Sequence, residues 1–148
     1  MRAMRGVKAA LRYVTGLERR DARRVREQWI VFGVGAVGYS MLEMLWRGYT
    51  HWTMALTGGA CFRAIYAINR RMRTRPWPVR CALGAAVITG AELTVGLLVN
   101  ERMRMRVWDY SRNRLNFRGQ ICALYSTLWF LLCIPLGPFC AWLRRRIA

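Results

Sequence analysis

Acidic residues are scarce in this chain, with 7 Asp and Glu against 25 Lys and Arg, and there is 1 histidine. A single histidine without a second ligand beside it is a poor metal site. The cysteines, Cys61, Cys81, Cys122, Cys133 and Cys140, show neither CxxC nor metal-ligand spacing, so they read as small packing residues rather than a disulfide framework. A G-x-x-x-x-G-K-[ST] loop is missing, so the chain does not bind and hydrolyse ATP in the P-loop manner. A nucleophile elbow and an HExxH motif are missing as well. No metal and no cofactor is expected. Period-2 alternation is absent, which argues against a transmembrane barrel. There is no sign of a cleavable signal peptide. The first apolar run follows 27 strongly charged residues, and no small-residue cleavage site comes after it. That run is expected to be retained.

What is present is 55% apolar, with a formal net charge of +18. In a soluble protein such a charge suggests nucleic acid. Here the charges gather at the chain ends and in two connections, with long, nearly uncharged runs between them. We therefore expect no nucleic-acid partner. Four runs are candidate spans: 28–46, 52–69, 79–101 and 119–142. Each approaches the ~20 residues that cross a ~30 Å hydrocarbon core as a helix. The second is the weakest, being short and carrying Arg63. The expected fold is an all-α membrane protein with four transmembrane helices, preceded by a basic amphipathic interfacial helix. Residues 1–27 form the basic segment, 28–142 the four-helix domain and 143–148 a basic tail.

Four spans put both termini on one side. That side collects the nine Lys and Arg of 1–27, five in the 70–80 loop and Arg144, Arg145 and Arg146. The opposite side has seven: Arg47, Arg102, Arg104, Arg106, Arg112, Arg114 and Arg118. The positive-inside rule then places both termini in the cytoplasm. Within the first segment, Arg2, Arg5, Lys8, Arg12, Thr15 and Arg19 recur at helical spacing, with Met4, Val7, Leu11 and Val14 on the opposite stripe. Such a helix suits the anionic inner leaflet, with a docking helix for a soluble partner as the alternative. Pro76 and Pro78 should break the helix between the second and third spans, and Pro135 and Pro138 should kink the fourth.

Polar residues cluster at the outer ends of the spans. In WRGYTHWTM, Glu43 lies one turn below Arg47, the favourable i,i+4 order for an ion pair. Gly48 reads as a helix terminator, and His51 and Trp52 open the second span. Glu92 sits near the middle of the third span. A carboxyl at that depth should face the bundle interior and find a partner. Trp108, Asp109, Asn116 and Gln120 lie in the third connection. Glu43, Arg47, His51, Trp52, Glu92, Trp108, Asp109, Asn116 and Gln120 are thus candidates for one substrate pocket in the outer half of the bundle. Each also has a purely structural reading. The tryptophans suit an interfacial belt, Glu43–Arg47 a helix-end ion pair, and His51 an interfacial hydrogen bond. Arg63, about 9 Å from the cytoplasmic end at ~1.5 Å per residue, can reach the headgroups by snorkelling.

Two blocks, E-x3-RG-x-THW from Glu43 to Trp52 and WDYS-x4-N-x2-GQIC from Trp108 to Cys122, together resemble the bacterial membrane family described as putative ABC-transporter type IV, CmpB-like. The resemblance runs from Gly38 to Trp129. It falls on Glu43, Arg47, Gly48, His51 and Trp52, on Gly58 and Gly59, and on Trp108 to Ser111, Asn116, Gly119 and Gln120. It implies an integral protein of the bacterial inner membrane with a transport-related role, working with a separate ATPase or as a homo-oligomer. Arg63 and the arginine-dense 102–118 connection depart from the less basic pattern the family would suggest. The first functional reading is a transporter or transporter subunit with a polar pocket. The alternatives are a membrane-embedded enzyme acting on a lipid or envelope precursor, with carboxylates as acid–base groups, and a structural or assembly protein.

Overall fold

The computed structural model describes residues 2–147, except for the side chains of residues 2–14 and 17. The amphipathic face expected over 2–19 therefore lies largely on side chains outside the described residues. Four helices dominate: α1 (Arg2–Arg47), α2 (Trp52–Arg71), α3 (Trp77–Gly96) and α4 (Ala123–Ile147). A wider, π-helical stretch, Leu97–Arg102, continues α3. The short strands β1 (Asn116–Phe117) and β2 (Ile121–Cys122) pair antiparallel, Asn116 opposite Cys122 and Phe117 opposite Ile121.

α1 runs through the charged stretch into the apolar one as a single 46-residue helix. Residues 17–32 contain neither Gly nor Pro, so nothing there stops helix propagation. One boundary differs from the sequence reading: the fourth helix starts at Ala123 rather than at residue 119. Gly119 has φ +68 and turns the chain between β1 and β2, a conformation a helix does not accept. α4 continues through Pro135 and Pro138 as one helix. Each proline removes an N–H that would have reached the carbonyl four residues earlier, and its ring crowds that carbonyl.

Glycine and close packing set how the helices meet. Gly48, at φ +76, ends α1 and lets the chain reverse into α2. The two helices then run antiparallel. Tyr66 and Arg70 meet Glu27, Arg63 donates to Gln28, and Gly59 faces Phe32. Gly35 and Gly58 let the backbones approach: a Cβ on Gly58 would strike Tyr39 and one on Gly35 would strike Phe62. α3 and α4 pack the same way, Thr89 on Ser126 and Gly84 on Cys133. The core between them gathers Val31, Phe62, Ile65, Tyr66, Ile88 and Leu143 with Cys61, Cys81, Cys133 and Cys140. All five cysteines are buried and unpaired.

The outer surface is apolar. Trp29, Val37, Met41, Leu45, Leu56, Leu131 and Trp142 are all exposed. Leu45 is 86% exposed, a placement that suits lipid and not water. Glu18–Arg47, Trp77–Arg102 and Ala123–Ile147 are long and apolar enough to cross a membrane. α2 falls short of that measure, so three of the four expected spans meet it.

Candidate functional site

The segment after α3 is tied down by its own polar side chains. Asn100 is the centre: Nδ2 donates to the Trp108 carbonyl at 3.0 Å and to Gln120 Oε1 at 2.9 Å, while Oδ1 accepts from Val107 N at 2.7 Å. Trp108 Nε1 donates to the Gln120 carbonyl at 3.0 Å. Asn116 Nδ2 donates to the carbonyls of Ser111 and Asn113, and its Oδ1 accepts from Gly119 N at 3.1 Å. These bonds leave no helix to satisfy the backbone, so side chains do it. Arg104, Arg106, Leu115 and Arg118 all take positive φ here, which only a well-determined segment sustains in residues with a Cβ.

Arg47 docks α1 onto this segment. One of its guanidinium nitrogens donates to Glu43 at 2.9 Å, and the other donates to Tyr49 Oη at 2.6 Å and to the Val107 carbonyl. Glu43 also accepts from Thr50 Oγ1 at 3.1 Å. The Glu43 side chain is 7% exposed and that of Arg47 21%, so the carboxylate is buried while the guanidinium keeps some contact with its surroundings.

Between α1, α4 and residues 107–113 lies a cavity of about 600 Å³. Glu43, Arg47, Trp108, Asp109, Arg112 and Asn113 line its polar part, and Trp46, Tyr110, Tyr125 and Trp129 its aromatic part. Tyr110 stacks on Tyr125 at 4.3 Å between ring centres, and Trp46 Nε1 donates to Tyr125 Oη at 3.4 Å. A deeper, almost wholly apolar cavity of about 190 Å³ shares Tyr39, Leu42 and Leu132 as walls.

Glu92 belongs to the deeper cavity and is 2% exposed. Its carboxylate accepts from Trp129 Nε1 at 2.8 Å and from Tyr110 Oη at 3.2 Å. Both donors line the larger cavity, so Glu92 stands one side chain behind it and sets the angle of two of its walls. Burial, and then the Glu92 carboxylate, push the Tyr110 phenol far above its usual range, which keeps it a donor. Asp109 is held below the ordinary carboxylate value, first by the Ser111 backbone N–H at 2.8 Å and also by Arg112 and Arg106.

Of the nine candidates, the structure brings Glu43, Arg47, Trp108 and Asp109 into one cavity wall. Glu92 reaches that wall through Tyr110 and Trp129. His51 does not reach it. It caps α2, Nδ1 accepting from Thr53 N at 3.4 Å and lying 2.7 Å from Thr53 Oγ1. Trp52 packs against the His51 ring and is otherwise exposed. Asn116 and Gln120 hold the 107–122 segment in shape and do not line the cavity. The wall residues that the sequence did not single out are Trp129, Tyr125, Arg112 and Asn113. Trp129 and Tyr125 lie in an apolar run where nothing marks them, and their role comes only from contacts with Glu92 and Tyr110, 37 and 15 positions away. Among the described residues, no group of three or more His, Cys, Asp or Glu is placed to hold a metal ion.

No curated protein matches the chain. No solved structure matches it. The family described as Putative ABC-transporter type IV does match, over residues 28–143, the four-helix part with both polar blocks and the cavity between them. This chain, a multi-pass membrane protein, belongs to the putative ABC-transporter type IV family.

Proposed function

We propose that the chain is the membrane-embedded part of a transport system, that it crosses the bacterial inner membrane four times with both termini in the cytoplasm, and that its larger cavity receives an amphipathic substrate. The observation that carries this reading is the cavity of about 600 Å³ with an ion pair at one edge and an aromatic wall at the other, in a chain of this family. Pockets that are mostly apolar with a few fixed polar groups are the usual form of small-molecule sites. Aromatic faces favour a flat or aliphatic part, while Arg47 and Arg112 favour an anionic or polar head.

The fourth crossing rests on packing. α2 is 20 residues long, about 30 Å at ~1.5 Å per residue, and lies antiparallel along the apolar half of α1. A helix paired so closely with a spanning one shares its depth. Arg63 then reaches Gln28 near the start of the apolar stretch, where headgroups and water are close. The charge asymmetry of the loops supports cytoplasmic termini. Energy for transport would come from a separate ATPase, because the chain has no P-loop. The basic N-terminal segment would rest on the anionic inner leaflet.

The test is mass spectrometry of lipids and small molecules retained by the protein purified in mild detergent. One amphipathic species should stay with the wild type. Tyr125→Ala and Arg112→Gln should each lower its occupancy about tenfold, the size of one lost stacking or charged contact. His51→Ala, outside the wall, should keep it. Equal retention by all three variants would place the ligand elsewhere and defeat this reading.

A further inference from the structure

A second polar hollow, of about 160 Å³, lies at the other end of the bundle, where α2, α3 and α4 meet. Arg70 and Arg73 come to it from the end of α2 and the turn beyond, Arg80 from the first turn of α3, and Arg144 and Arg145 from the end of α4. So many guanidinium groups around one small space repel one another unless something negative joins them. The chain supplies little. Glu27 is already bonded to Tyr66 at 2.6 Å and to Arg70 at 3.3 Å. Among the described residues, no carboxylate lies within ion-pair distance of Arg73, Arg80, Arg144 or Arg145.

Arg80 sharpens the point. Its Nη1 donates to Asn69 Oδ1 at 3.1 Å, which fixes the guanidinium plane. Its Nε is buried and is the one buried side-chain polar atom, among the described residues, without a hydrogen-bond partner. A buried unmet donor is costly and asks for an acceptor. Arg80 also sits in the first turn of α3, which holds no acidic residue, and there the helix dipole favours an anion over a cation. Trp77 and Trp142 are both half exposed near this end, and Arg146 lies over the Trp142 ring at 5.7 Å. Tryptophans so placed mark headgroup depth.

We propose that this hollow binds a phosphate oxyanion, supplied either by a phospholipid headgroup or by free phosphate. Planar guanidinium forks suit phosphate oxygens, and three helices offering them from different directions give a cradle rather than a smear of surface charge. The site is independent of the cavity at the opposite end.

The test uses the full chain in mild detergent, with phosphatidylglycerol, phosphatidylcholine and inorganic phosphate as probes. Native mass spectrometry should show phosphatidylglycerol retained in preference to phosphatidylcholine. Arg73→Gln combined with Arg145→Gln, both at exposed positions, should weaken retention about tenfold or more, as expected for two lost charge-assisted bonds. Arg104→Gln combined with Arg114→Gln removes the same charge from the other end and should leave retention unchanged. Arg80→Lys keeps the charge but loses the Nε donor and the fork, and should weaken retention too. If millimolar inorganic phosphate displaces the lipid and raises the unfolding temperature alone, the site takes free phosphate. If the lipid stays, the site takes the headgroup. Failure of both probes to bind the wild type, equal loss by the two double variants, or full retention by Arg80→Lys would overturn the proposal.

Discussion

Each end of the bundle buries one glutamate of α1 beside an arginine, and the two pairs are built differently. At one end Glu43 meets Arg47 one turn away on the same helix, at 2.9 Å, and Arg47 goes on to grip Tyr49 and the Val107 carbonyl. At the other end Glu27 accepts a short bond from Tyr66 and only a long one, 3.3 Å, from Arg70, whose side chain is 46% exposed. The first pair is a joint between α1 and the segment after α3. The second ties α2 to α1, and among the described residues it leaves Arg73, Arg80, Arg144 and Arg145 without an ion pair. The same two residue types therefore make a structural clamp at one end and a positive field at the other. What separates them is the number of further donors and acceptors within reach.

The largest expected effect breaks the clamp. Glu43→Ala leaves Arg47, whose side chain is 21% exposed, with only Tyr49 and the Val107 carbonyl as partners, which should cost about 3 kcal/mol of stability, the low end for a broken buried pair. Glu27→Ala loses a tyrosine bond and a half-exposed ion pair, and should cost about 1–3 kcal/mol. Unfolding titrations of the two variants in one detergent compare them directly. Equal losses would mean that the two ends are energetically alike. Trp108→Phe keeps an aromatic side chain but removes the indole N–H that bonds the Gln120 carbonyl, and leaves that acceptor buried. It should cost about 1–3 kcal/mol and loosen the 107–122 segment, seen as faster amide exchange there. Arg73→Gln, at a residue with no carboxylate within ion-pair distance among the described residues, should move stability by less than about 0.5 kcal/mol in anion-free buffer, because no ion pair is lost. A large loss would reveal a protein partner for Arg73.

The smallest effect concerns Asp109. Its carboxyl titrates lower in the folded protein than in the unfolded chain, since the Ser111 N–H favours the charged form. Its contribution is fully present above the ordinary carboxylate pKa, near 3.8, and is lost as pH falls through the lower folded value. Asp109→Asn should therefore lower stability slightly at neutral pH and flatten the acid limb, so that the two stability–pH curves converge at low pH. A wild-type acid limb identical to that of Asp109→Asn would show that the Ser111 bond does not form.

Much of the helical plan could be read in the chain. Long uncharged runs bounded by arginines leave few alternatives to apolar helices, because the cost of exposing them to water is high and the backbone must bond to itself in lipid. The Glu43–Arg47 pair was legible because i,i+4 is a local geometry. The inward placement of Glu92 was legible because a carboxyl at that depth has nowhere else to go. The start of α4 was not. Hydropathy rises at residue 119, but the Asn116–Gly119 turn and the β1–β2 pairing take those residues first. His51 looked like a pocket residue and is a helix cap, since the local bond to Thr53 is reached before any distant partner.

The sequence by itself determined the apolar helices, the side of the bundle that carries most arginines, and the family. These depend on composition and on spacings of a few residues, which survive without knowledge of the fold. The tertiary structure alone decided which polar residues share a cavity, that Trp129 and Tyr125 wall it, that Asn100 organises the segment after α3, and that Arg80 ends with an unmet donor among four other arginines. Those outcomes depend on which helix faces lie opposite one another, and helix facing is set by close contacts such as Gly58 on Tyr39 and Gly84 on Cys133. Contacts between residues so far apart in the chain leave no local trace in either partner's neighbours.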